Sequence, residues 1–188
     1  MKKKKGTKKM KTKILALDNT SIILKALQLL LIFLFTFGVI ISKLPQLVTG
    51  SIVNAVLIYT LINYGLNQAI ILGMITPIIA ASSGFLPLPL LLMLPFITLG
   101  NAVYVSVYNL LNKKYQVAGI FTAAIAKFLL IYLTVTYFVF KPINVLIAGK
   151  AQIVNIPLTI IDMMRWPQLY TAILGGLIAL GLLKIKQR

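Results

Sequence analysis

The chain has 188 residues, 60% of them hydrophobic and only 11% charged, with a formal net charge of +17. Soluble domains carry about a quarter charged residues, so this composition excludes an ordinary globular domain and predicts a polytopic helical membrane protein. With no Cys, no His, no Glu and only Asp18 and Asp162 as acids, the chain lacks disulfides, thiolate or imidazole metal ligands and paired carboxylates, so neither catalysis nor a cofactor is expected.

In chain order, residues 1–13 (MKKKKGTKKMKTK) hold eight of the 19 basic residues. They read as a disordered cytoplasmic tail that touches anionic lipid, not as a nucleic-acid groove. Residues 14–20 lie along the interface, where Asp18, Asn19 or Thr20 is placed to cap the helix that follows. The expected domains are therefore 1–20, tail and interfacial segment, and 21–188, a membrane bundle. The first span covers 21–41, with Lys25 one turn inside and able to snorkel. A turn at 42–50 contains Pro45. The second span, 51–64, is short and is expected to recruit part of that turn.

The third and fourth spans, 67–82 and 88–111, are joined by the Ser-, Gly- and Pro-rich turn SSGFLPLP. Neither carries a charge, but Thr76-Pro77, Pro95, Asn101 and Asn109 interrupt them with helix-perturbing or polar groups. Such breaks are tolerated in a membrane where neighbouring helices or a cavity satisfy the backbone, so this pair is expected at the centre of the bundle. The loop 112–116 carries Lys113 and Lys114. The fifth span covers 117–140. A long connection, 141–167, contains IPLTIIDMMRW, a short interfacial helix with Asp162 and Arg165 one turn apart. The sixth span, 168–183, ends in KIKQR.

Six spans place both termini on one side. The basic tail, Lys113-Lys114 and the closing Lys184, Lys186 and Arg188 all fall on that side, leaving Lys43, Lys141, Lys150 and Arg165 opposite. The positive-inside rule then makes both termini cytoplasmic and the 141–167 connection external, in a multi-pass plasma-membrane protein. No internal repeat is visible.

Lys127, near the middle of the fifth span, is the sharpest single feature. A charge at that depth costs about 2.5–3.5 kcal/mol on insertion scales and marks a cavity or a partner. Asn101 on the fourth span lies at the same depth, each residue roughly 20 Å from its span's outer end by helical rise. Two readings stay open: Lys127 snorkels or bonds backbone carbonyls, or it forms a site for an anionic or polar group. Asn54 and Asn109 read as interhelical glue. Small residues such as Gly73, Gly100, Gly175 and Gly176 permit close helix packing. In the connection, Asp162, Arg165, Trp166 and Gln168 form the densest polar and aromatic cluster. It is either an interfacial Trp with an ion pair or the wall of an outward-opening pocket.

Four short patterns carry a resemblance: G-x-x-T-P at Gly73–Pro77, P-F-x-x-L-G-N at Pro95–Asn101, A-K-F at Ala126–Phe128 and W-P-Q at Trp166–Gln168. With six spans and a basic N-terminus, they resemble the substrate-binding (S) components of energy-coupling factor transporters. The nearest likeness is to the small S-like membrane proteins sometimes labelled iron hydrogenase. A chain without Cys cannot hold an iron–sulfur cluster, which removes that activity here.

The resemblance implies capture of a micronutrient from outside, docking on a transmembrane coupling protein and two cytoplasmic ATPases, and toppling to deliver it. It implies a pocket toward the outer side, made by the later helices and outer loops. The residues it points to are Asn101, Lys127, Trp166 and Gln168, with Thr76 and Tyr132 as neighbours; the outer cluster adds Arg165 and Asp162. Family members often dock through Ala-x-x-x-Ala on the first helix, and this chain departs with Ala26 followed by Leu30.

The expectation is thus a substrate-binding component of an ATP-driven uptake transporter. It takes a small organic molecule and has no phosphate-binding loop of its own. The absence of His and Cys disfavours nickel or cobalt as substrate. The alternative is a non-transporting structural or regulatory membrane subunit. An outward-facing polar pocket between the fourth, fifth and sixth spans separates the two.

Overall fold

The computed structural model describes residues 3–84, 88–139, 143–147, 150–154 and 158–186. In order, the elements are α1 (Lys3–Ile41), α2 (Gln46–Tyr64), α3 (Leu66–Ser82), α4 (Leu94–Leu111), α5 (Gln116–Thr134), β1 (Ile143–Ile147), β2 (Lys150–Val154), α6 (Leu158–Met163) and α7 (Trp166–Lys186). Five helical stretches among them are long and apolar enough to cross a bilayer, and Leu66–Ser82 is a shorter sixth. The protein is therefore a helical, multi-pass membrane protein.

The chain divides into two compact units, 1–35 and 36–188. The first is helix as far as it is described. The basic tail, expected to be disordered, is helical from Lys3 onward; Lys is a good helix former and no Pro breaks the run. Beyond it Ile22, Ile23, Leu24, Leu27 and Leu30 are all exposed, as suits a helix that meets acyl chains.

In the second unit the boundaries follow local chemistry. Pro45 precedes α2, which starts at Gln46 and so takes in part of the 42–50 turn. Pro lacks an N–H to offer a helix interior but is well placed at an entrance. Gly65 separates α2 from α3 with φ 95°, a conformation open to Gly and costly to other residues. A tight turn of 3₁₀ helix, Leu88–Met93, leads into α4, where Pro95 occupies the first helical turn. The end of α5 passes into a π-helical turn, Val135–Val139.

The 141–167 connection holds a feature that was not expected. Strands β1 and β2 pair antiparallel, with Ile143 opposite Val154 and Ile147 opposite Lys150. The short helix that was expected there is α6.

Helices joined by short turns run antiparallel. Helices α2 and α7 run parallel, because Gly50 meets Thr171 and Gly175 meets Ser51 and Asn54. The starts of α2, α4 and α7 and the ends of α3 and α5 therefore share one face of the bundle. The core at mid-height is Leu57, Ile58, Leu72, Tyr104, Val105 and Ile120, all buried. A second apolar cluster of Leu90, Met93, Ile131, Val135, Ile161 and Met164 lies nearer the shared face.

Candidate ligand-binding site

The site begins with a broken hydrogen bond in α3. Pro77 has no N–H, so the carbonyl of Gly73, four residues earlier, loses its helical donor. A buried carbonyl without a partner is costly, and Asn101 of α4 supplies one: its Nδ2 donates to Gly73 O at 2.9 Å. The same Nδ2 lies 3.3 Å from Thr76 Oγ1, and the Thr76 hydroxyl itself donates to Gly73 O at 3.2 Å. A backbone carbonyl accepts only, so this contact fixes which way the Asn101 amide points. Its Oδ1 is left facing α5, where it accepts from Lys127 Nζ at 2.8 Å.

Asn54 of α2 repeats the arrangement on the other side. Its Nδ2 donates to Gly50 O at 2.8 Å and lies 3.4 Å from Thr171 Oγ1 of α7. Its Oδ1 accepts from Lys127 Nζ, again at 2.8 Å. Lys127 is only 2% exposed. The Tyr104 ring lies 5.5 Å from Nζ, within reach of a cation–π contact, and Tyr104 is held by donating to Ala172 O at 2.7 Å.

Two glycines bring these groups together. A Cβ on Gly73 would lie 3.1 Å from Asn101 Cβ, and one on Gly175 would lie 2.7 Å from Asn54 Cβ and 2.5 Å from Ser51 O. The small residues of the spans thus serve close packing, and at these two positions the packing sets the Lys127 cradle.

A cavity of about 230 Å³ adjoins the cradle. Its polar end is Lys127, Asn54, Asn101 and Thr76, and its walls are apolar, chiefly Val53, Pro77, Leu90, Ile97 and Met164. Toward the shared face it is bounded by Gln46, Met163 and Gln168. There Gln46 Nε2 donates to Met163 O at 2.6 Å, tying the start of α2 to the end of α6.

The expected walls need correcting. Helices α4, α5 and α7 were expected, but α2 and α3 contribute more of the lining than those three together, and Asn54, read as glue, is a direct partner of Lys127. The expected depth match of Asn101 and Lys127 is met by their direct bond. Lys127 neither snorkels nor bonds a backbone carbonyl, since two side-chain amides hold it.

The remaining expected residues divide between two places. Thr76 and Gln168 line the cavity, the latter with Nε2 3.7 Å from Met164 Sδ. Trp166, Arg165, Asp162 and Tyr132 are not among the lining residues. They form a separate cluster beside it. Trp166 stacks on Phe128 at 5.2 Å between ring centroids, and Phe128 meets Tyr132 at 5.3 Å. Arg165 lies 5.1 Å over the Tyr132 ring and 3.5 Å from the exposed Asp162 carboxylate. It also donates to Thr136 Oγ1 at 3.4 Å.

Compared with protein-family models, curated proteins and solved structures, the chain matches none. The site's chemistry must then be read from its own geometry. That geometry offers a buried amine held by two neutral acceptors beside a cavity.

Proposed function

We propose that this protein is the substrate-binding component of an ATP-driven uptake transporter for a small organic molecule, with both termini in the cytoplasm of the producing cell. The single observation that carries the reading is the cavity ending on Lys127. A cation buried in a membrane bundle is expensive, and a concave apolar site with a few convergent polar groups is the usual form of a small-molecule site. The cavity lies on the face opposite Lys113, Lys114 and Lys184, which the positive-inside rule makes the outer face. That is where an uptake component meets its substrate. No phosphate-binding loop is present in the sequence, so energy would come from separate ATPase subunits through a coupling protein.

A second reading, a non-transporting subunit, draws on one observation. Lys127 already has two acceptors, and such a network can serve to fix helix register alone.

Native mass spectrometry of the tagged chain, solubilised gently from the cells that produce it, separates the two. A non-covalent small-molecule adduct together with ATPase subunits supports the uptake reading. The chain with neither adduct nor ATPase subunits overturns it and leaves the scaffold.

A further inference from the structure

We infer, resting on the reading of the cavity as a substrate site, that the substrate is a small monocarboxylate with an apolar body, bound carboxylate-first on Lys127. Four observations converge on it.

The first is the direction of the cradle. Both amides are pinned by acceptor-only backbone carbonyls, Gly50 O and Gly73 O, so each presents Oδ1 to Lys127. An ammonium has three N–H donors. Two go to Asn54 and Asn101; the Tyr104 ring lies 5.5 Å away, and among the described residues no acceptor takes the third.

The second is the missing counter-charge. The chain has two acids, Asp18 and Asp162. Asp162 sits on Arg165, and no acidic residue lines the cavity among the described residues. Asn oxygens orient the ammonium without neutralising it, so an anion entering the cavity supplies the charge the fold omits. In a site of low polarity a charge-assisted bond is worth about twice a neutral one.

The third is valence. Among the described residues, Lys127 is the only cationic one in the lining. One ammonium matches a single carboxylate. A phosphate dianion needs further cations or a cluster of backbone N–H groups.

The fourth is shape. Beyond Lys127 the walls are Val53, Pro77, Leu90, Ile97 and Met164, and a volume of about 230 Å³ falls below the ~300–1,000 Å³ of drug-sized sites. Gln46, at the far end, precedes Asn54 by eight residues on one helix, a rise of about 12 Å. That length admits a six- to eight-carbon or single-ring acid, and its far end would meet the Gln46 and Gln168 amides.

The test uses full-length protein in detergent and calorimetric titration at pH 7. The probes are hexanoate and phenylacetate against hexanamide and phenylacetamide, which differ only in charge. Hexadecanoate is added to separate a membrane fatty acid from a small soluble acid. The expected result is at least tenfold tighter binding of each small acid than of its amide. Lys127→Met should remove that preference, and Ala80→Leu, which adds bulk to the lining on α3, one turn beyond Thr76, should abolish binding of both. Because the acid-to-amide ratio is read in the unaltered protein, a poorly folding Lys127→Met leaves the inference testable.

Equal binding of acid and amide, lost in Ala80→Leu, overturns the carboxylate inference while the cavity remains a substrate site. Binding of neither series overturns the inference, and the co-purification experiment then judges the broader reading on its own. Much tighter binding of hexadecanoate overturns the small-acid class in favour of a lipid.

Discussion

Two cations of this bundle, each over a tyrosine ring, differ in what balances their charge. Arg165 stands at a corner with its own carboxylate, Asp162, and with an aromatic ring beneath it. Lys127 is buried, and the groups that hold it, Asn54 and Asn101, are neutral. A cation that carries its counter-ion is complete, and an exposed pair of that kind contributes about 0–1 kcal/mol. A buried cation held by dipoles alone is oriented but not neutralised. The comparison teaches that hydrogen-bond satisfaction and charge neutralisation are separate requirements. Where a fold meets only the first, the second is open to a ligand.

The comparison can be broken most severely at the helix crossing that sets it. Gly175→Leu would drive a side chain into Ser51 O and Asn54 Cβ. Overpacking of this kind costs about 1–3 kcal/mol, occasionally more, and here the clash is with backbone. The expected result is loss of the monodisperse peak in size-exclusion chromatography, whereas leucine at Gly181, where nothing lies within 4 Å, should leave it unchanged.

Next comes Lys127→Ala. It leaves two Asn oxygens facing one another without a donor, at about 1–3 kcal/mol for each unsatisfied buried group. Thermal unfolding in detergent should shift down by several degrees. Arg165→Ala should shift it by far less, because its partners Asp162 and Thr136 remain in reach of solvent.

Pro77→Ala sharpens the account of the cradle. Removing a proline from a helix interior should raise or preserve the unfolding temperature, since Pro costs about 3 kcal/mol there relative to Ala. It also returns an N–H to Gly73 O, which then competes with the Asn101 amide. Ligand affinity should fall roughly threefold to tenfold by titration while stability does not fall, a split that a purely structural proline would not produce.

The smallest effect is expected at the mouth. Gln46→Ala removes the 2.6 Å bond to Met163 O and should speed ligand release about twofold to fivefold in stopped-flow measurements, with little change in unfolding temperature.

How far the sequence carried these features follows from distance along the chain. The depth match of Asn101 and Lys127 was legible because α4 and α5 are joined by a short turn, which fixes their register. Asn54 was not, because its place depends on α2 crossing α7 at Gly175, more than a hundred residues away. Nothing local separates a partner of Lys127 from an ordinary interhelical asparagine. The G-x-x-T-P pattern was visible, but its purpose required seeing which side chain fills the vacated bond to Gly73 O.

The β1–β2 pair left a local signal that was passed over: Ile and Val recur in both 143–147 and 150–154, a composition that favours strands. In a chain this apolar, such a composition is hidden among helical runs. Asp162, Arg165, Trp166 and Gln168 were expected as one cluster; Gln168 instead lines the cavity, and Tyr132, expected beside Lys127, meets Arg165 and, through Phe128, Trp166. That Asp162, Arg165 and Trp166 lie beside the cavity, not in its wall, depends on how α6 turns into α7, which spacing does not reveal.

The central claim is that the amine of Lys127, and not the guanidinium of Arg165, receives the ligand. The most direct measurement is native mass spectrometry of the wild type, Arg165→Met and Lys127→Met, prepared identically, with adduct occupancy compared. The account predicts the same small-molecule adduct on the wild type and Arg165→Met and none on Lys127→Met. An adduct that persists on Lys127→Met and disappears from Arg165→Met would contradict it.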